Sequence, residues 1–141
     1  MEAREQKCMT AVEISSANSA AKLKFSDFDG SYFTASLISP AVCAEVRVYA
    51  ATDLEGYAVA ALVGLFKTMS EGWKGWEGKL TWASLEGELE IVATADSLGH
   101  VNLRLMFREY GGPMPWSADI DFTLDSMQVE KAHKRLAQVF S

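Results

Sequence analysis

Short runs in which apolar and polar residues alternate make up most of this chain, and a period-two pattern is the signature of half-buried antiparallel strands. The cleanest run is Val42 to Ala50, with Val42, Ala44, Val46 and Val48 on one face and Cys43, Glu45, Arg47 and Tyr49 on the other. His100 to Glu109 is as regular, sending Val101, Leu103, Leu105 and Phe107 inward and Asn102, Arg104, Met106 and Arg108 outward. Further strands are predicted over Ala11–Ser15, Ala20–Phe25, Tyr32–Ile38, Leu80–Ala83, Glu88–Ala95 and Trp116–Leu124. Turn chemistry separates them at Ser26-Asp27-Phe28-Asp29-Gly30, Ser39-Pro40, Asp96-Ser97-Leu98-Gly99 and Tyr110-Gly111-Gly112-Pro113-Met114-Pro115. Gly99 suits a left-handed position in a hairpin. Pairing through the Gly111-Gly112 turn sets Arg104 near Asp121.

Two segments switch to helical spacing. Thr52-Asp53-Leu54-Glu55 reads as a capping box, followed by the stripe Leu54, Ala58, Ala61, Leu62, Leu65 and Met69, which Val59, Val63 and Phe66 widen. Gly72 is placed to end that helix. The second helix starts near Asp125, with Gln128 in the capping-box position and Val129, Ala132, Leu136 and Val139 or Phe140 as its stripe. The order strands, helix, strands, helix predicts an α+β domain: an antiparallel sheet of about six to eight strands with two helices on one face. That order suggests an internal duplication, which no sequence repeat supports. Residues 1–10 are expected to be a flexible N-terminus, with residues 11–141 forming one domain.

Composition narrows the partners. The 141 residues are 49% hydrophobic and 23% charged, as in ordinary globular domains. The net charge is −6, and the pI is about 4.9. An acidic chain whose one basic cluster is Lys131, Lys134 and Arg135 lacks the stripe that neutralises phosphates, so no nucleic-acid partner is expected. Those three cations are expected to complement the dipole of the last helical turn. The longest apolar stretch, Tyr57 to Phe66, is too short to span a bilayer, and Met1 to Met9 lacks an apolar signal region, so neither membrane nor export is expected. Two cysteines, Cys8 and Cys43, are too few for a disulfide framework or a zinc site, and we expect free thiols in a cytosolic protein.

Few residues carry candidate chemistry. Trp73, Trp76 and Trp82 fall within ten residues, on and after a glycine-rich loop. They offer either a recognition surface or packing where helix meets sheet. Asp96 and His100 flank one turn; they form an acid/base pair if both face a cleft, or a turn in which the Asp96 side chain holds backbone N–H groups. His133 is expected on the surface of the last helix. Glu88, Glu90, Arg104, Arg108, Asp119 and Asp121 make the outer face of the second strand set charged, as a solvated sheet face or as an anion-binding cleft. No phosphate loop, nucleophile elbow or metal motif is present, so neither cofactor nor metal is expected.

Three motifs together resemble a known family: Trp73-x-Gly75-Trp76-x-Gly78, Trp82-x-Ser84-Leu85-Glu86-Gly87-x-Leu89 and Asp96-x-Leu98-Gly99-His100-Val101-x-Leu103. They are similar to an uncharacterised bacterial family of small cytoplasmic proteins, a domain of unknown function. The resemblance covers about Phe25 to Val139 and is most specific from Trp73 to Leu103. It implies a bacterial source and one self-contained domain, and it carries no activity or catalytic residue. By analogy of size and charge alone, some small acidic bacterial proteins are immunity proteins. The leading expectation is therefore a non-enzymatic interaction domain with a protein partner. The alternatives are a ligand-binding protein or small enzyme with a cleft at Trp76, Trp82, Asp96, His100 and Arg104, and a structural homodimer.

Overall fold

A computed structural model describes residues 11–50, 56, 58–72 and 74–140. Eight strands and two helices follow one another as β1 (Val12–Ser15), β2 (Lys22–Ser26), β3 (Tyr32–Ile38), β4 (Cys43–Tyr49), α1 (Val59–Glu71), β5 (Leu80–Ala83), β6 (Leu89–Ala95), β7 (Val101–Glu109), β8 (Trp116–Leu124) and α2 (Ser126–Val139). The fold is α+β and antiparallel, in the expected order. The eight strands divide into two four-stranded meanders, β1-β2-β3-β4 and β5-β6-β7-β8, where a single sheet was expected. Each meander is followed by a helix, so one ββββα plan occurs twice.

The alternation sets the faces. Leu23 and Phe25, then Phe33, Ala35 and Leu37, then Ala44, Val46 and Val48 line the buried side of the first sheet. Val42 precedes β4 and is exposed. In the second sheet Trp82, Leu89, Ile91, Ala93, Val101, Leu103, Leu105 and Phe107 are buried. Both inner faces join one core cluster with Leu62, Phe66 and Met69 of α1 and Val129, Ala132 and Leu136 of α2. The helices pack on each other, and each reaches across to the other half: α2 lies on β1 and α1 on β5. β4 packs against β7. A backbone bond from Ala17 N–H to the Thr123 carbonyl, 2.7 Å, ties the β1–β2 turn to the end of β8.

The helix ends differ. At α2 the Asp125 carboxylate accepts from the Gln128 N–H at 2.8 Å while the Gln128 side chain accepts from the Asp125 N–H at 2.9 Å, the complete capping box read from sequence. The Gln128 amide also donates to the Ser15 carbonyl at 2.8 Å, fixing α2 to β1. By contrast α1 begins at Val59, with Ala58 as an N-cap that makes no side-chain bond. The expected box at residues 52–55 lies outside the described residues, as does the expected flexible segment 1–10. Gly72 does end α1, but at φ −90°, not in the left-handed conformation. Its reason is space: a Cβ there would lie 3.2 Å from the Trp76 ring and 3.3 Å from the Thr68 carbonyl oxygen. The basic residues of α2 also need correction. No basic residue lies in its last turn; Lys134 pairs with Glu130 at 3.1 Å, and Arg135 donates to the Ala11 carbonyl at 2.8 Å. Lys134 is thus turned to a neighbour on the helix and Arg135 to the chain before β1.

Candidate functional site

The Asp96–His100 turn is built from the backbone outward. One Asp96 carboxylate oxygen accepts from the N–H groups of Leu98 and His100, both at 2.9 Å, and the other lies 3.1 Å from His100 Nδ1. Gly99 closes the turn at φ 84°. The His100 N–H, then the Leu98 N–H and the His100 side chain, hold the Asp96 carboxyl below its ordinary value. Gly75, at φ 102°, packs so closely beneath this turn that a Cβ would stand 3.1 Å from the Asp96 carbonyl oxygen. That contact places Trp76 under the β6–β7 hairpin, partly buried, with its indole N–H unpartnered among the described residues.

The remaining candidates lie elsewhere. Trp82 is only 4% exposed and donates its indole N–H to the Ala58 carbonyl at 3.3 Å, bracing β5 against the start of α1. Trp82 pairs with Ile91 and Ile91 with Leu105, so these three share the inner face. Arg104 pairs with Val92 and Asp121 on the outer face of the same sheet, as the turn at Gly111-Gly112 predicted. It stands four residues along β7 from His100, roughly 13 Å at strand rise. Asp96 and His100 are thus brought together above Trp76, while Trp82 and Arg104 occupy opposite faces. Trp73 lies outside the described residues. Cys43 is a free, exposed thiol; Cys8 lies outside the described residues. Among the described residues no group of three His, Cys, Asp or Glu side chains could hold a metal ion. No described helix is long and apolar enough to cross a membrane.

An open apolar surface lies at the other end of the second sheet. The β7–β8 hairpin exposes Tyr110 by 59%, Met114 by 79% and Trp116 by 38%. Tyr110 leans over the β5–β6 turn, its hydroxyl 3.2 Å from where a Cβ on Gly87 would sit, and that turn exposes Leu85. Arg108, Glu109, Tyr110, Pro115, Trp116 and Ser117 line a shallow depression of about 430 Å³. Glu86, Glu88, Glu90, Glu109 and Asp119 surround Arg108 at this end, and Arg104 follows one pair further along the outer face, opposite Asp121. From sequence these apolar residues read only as a turn and an inner strand face. The usable signal was Met114 between Pro113 and Pro115, an apolar side chain where a turn needs none.

These features define an α+β domain of two antiparallel meanders, each closed by a helix, with a polar turn at one end and an acidic, aromatic hairpin at the other. The chain belongs to a family of unknown function, DUF6228, whose model matches residues 9–141. No curated protein and no solved structure matches it.

Proposed function

We propose that this protein is a non-enzymatic interaction domain that docks a basic protein partner on its β7–β8 end. The observation that carries the reading is the exposure of Tyr110, Met114 and Trp116 on one hairpin. Aromatic residues, methionine and arginine are the side chains enriched in protein interfaces. Contiguous exposed apolar groups rimmed by polar ones mark such sites. The carboxylates around the cluster select the sign of the partner, because complementary potentials steer encounter and reject like charge. The narrowest form of the proposal is a bacterial cytosolic protein of immunity type that neutralises a basic toxin, supported by the net charge of −6 and the small size. That form predicts a gene for a basic toxin beside this one.

Site-specific photo-cross-linking in cells that carry the gene tests the docking surface. A photoreactive phenylalanine analogue is placed at Met114, and in a control at Lys67 on the exposed side of α1. A discrete adduct with a basic protein at position 114 alone, weakened when the cross-linking is repeated in a lysate at about 0.5 M salt, is the expected result. Absence of an adduct at 114, or the same adducts at both positions, would overturn the proposal.

A further inference from the structure

The strand order leaves β8 as an edge, and at nine residues it is the longest of the four edges, against four for β1, seven for β4 and four for β5. The phase of its backbone groups follows from two bonds. In an antiparallel strand the N–H and C=O of one residue point to the same side, and the side alternates along the chain. The Thr123 carbonyl bonds outward to the Ala17 N–H at 2.7 Å. At β7 the Arg108 N–H donates at 2.8 Å to the carbonyl of Glu88, the residue before β6, which turns Phe107, Leu105 and Leu103 toward Ala118, Ile120 and Phe122. Both observations set Ser117, Asp119 and Asp121 facing away from β7. Their three donors and three acceptors find no partner among the described residues.

The side chains around this edge are also unfinished. Ala118 and Ile120 point inward but are only partly buried, whereas Phe122 and Leu124 further along are fully buried. A strand added outside β8 would cover them with its own inward residues. On the outer face, Ser117, Asp119 and Asp121 alternate along the edge, so an added strand would meet carboxylates at two of these three positions. A second copy of β8 is a poor occupant. Antiparallel pairing about Asp119 sets that carboxylate against its own copy, and like charges directly opposite are destabilising. Charge on an edge is the usual guard against self-pairing.

We infer that the partner binds by adding an extended strand to β8, with lysine or arginine at alternate positions opposite Asp119 and Asp121 and apolar residues between them over Ala118 and Ile120. This deepens the proposed interaction and rests on it: Trp116 stands at the start of the same edge, where a strand leaving β8 would cross it. In such strand addition main-chain hydrogen bonds supply affinity and alternate side chains supply specificity.

The test uses the full chain and three synthetic seven-residue peptides: one alternating lysine and valine, one alternating glutamate and valine, and the lysine peptide N-methylated at alternate backbone amides. Amide hydrogen exchange is read by NMR. Saturating lysine–valine peptide is expected to slow exchange at Ser117, Asp119 and Asp121 by roughly tenfold or more, and the other two peptides are expected to leave it unchanged. The double variant Asp119→Lys, Asp121→Lys is expected to exchange this preference for the acidic peptide. Protection on another edge, no protection, or equal binding of the N-methylated peptide overturns strand addition. A cross-link at position 114 together with unprotected β8 amides removes only the strand mode. Loss of that cross-link removes the docking surface itself.

Discussion

The two halves of the molecule share a plan and differ in how they close. Each is a four-stranded meander followed by a helix, and each holds the turn between its second and third strands with one aspartate. Asp29 accepts from the N–H groups of Ser31 and Tyr32 at 2.8 and 2.7 Å, as Asp96 does from Leu98 and His100. Arg47 then locks the first turn, donating to Asp29, to the Asp27 carbonyl and to Thr34. The first sheet is sealed by rings. Phe140, at the end of α2, stands 4.9 Å from Phe28, 5.2 Å from Phe33 and 6.4 Å from Phe25, all edge-on. In the second half the last two strands are nine residues long instead of seven, and along β8 burial gives out before Phe122 is reached. No ring cluster covers the start of that strand among the described residues. A repeated plan therefore yields one sheet whose inner face is closed by rings, with Tyr32, Ile38 and Val42 exposed at its margins, and one whose last strand begins uncovered.

The largest effect should come from opening the sealed half. Phe33 is fully buried between Phe25 and Phe140, and Phe33→Ala is expected to cost about 3–5 kcal/mol by loss of transfer energy plus the cavity left behind. Urea denaturation with an unchanged m-value measures it. Next comes the joint between halves. Asp125→Ala removes the acceptor that caps α2 and is expected to cost about 1 kcal/mol, read from the same denaturation curves.

What was legible in the sequence was what neighbours along the chain decide. Tyr32–Ile38, Leu80–Ala83 and Trp116–Leu124 have the bounds their alternation gave. The Asp125–Gln128 box formed because its partners are three residues apart, and the Arg104–Asp121 register followed from turn position. Contacts between distant segments were not legible. Nothing local says that β4 and β5 do not pair, that α1 starts at Val59 with its N-cap carbonyl accepting from Trp82, or that Gly72 makes room for Trp76. The candidate site divides in the same way. The Asp96–His100 pair spans one turn and was visible, whereas the exposure of Trp116 depends on where the core ends.

A smaller effect tests whether the two aspartate turns are equivalent. The Tyr32 and Ser31 N–H groups, with Arg47 beside them, hold the Asp29 carboxyl below its ordinary value of 3.8, and backbone N–H groups do the same at Asp96. A depressed folded value means that the unfolded chain takes up protons first as pH falls. The contribution is complete above about pH 4 and is lost on descending through the folded values. Carboxyl titration followed by NMR should show both midpoints below 3.8. Asp29→Asn should lessen the acid sensitivity from one half only, and Asp96→Asn from the other. If one carboxyl titrates at its ordinary value, the equivalence of the turns fails.

The smallest effect on stability is expected where the binding proposal places the most weight. Met114→Ser should change unfolding free energy by no more than about 0.5 kcal/mol, because a side chain 79% exposed leaves no cavity when removed. Paired with Phe33→Ala, this measures the contrast between the sealed and the open half directly. A cost of 2 kcal/mol or more for Met114→Ser would make Met114 a core residue and erase the difference. A neutral result has the opposite force. Large apolar groups that do nothing for stability, held on a hairpin beside an unpaired strand edge, lower solubility unless something covers them. Their presence is then explained by contact with another molecule and not by the fold.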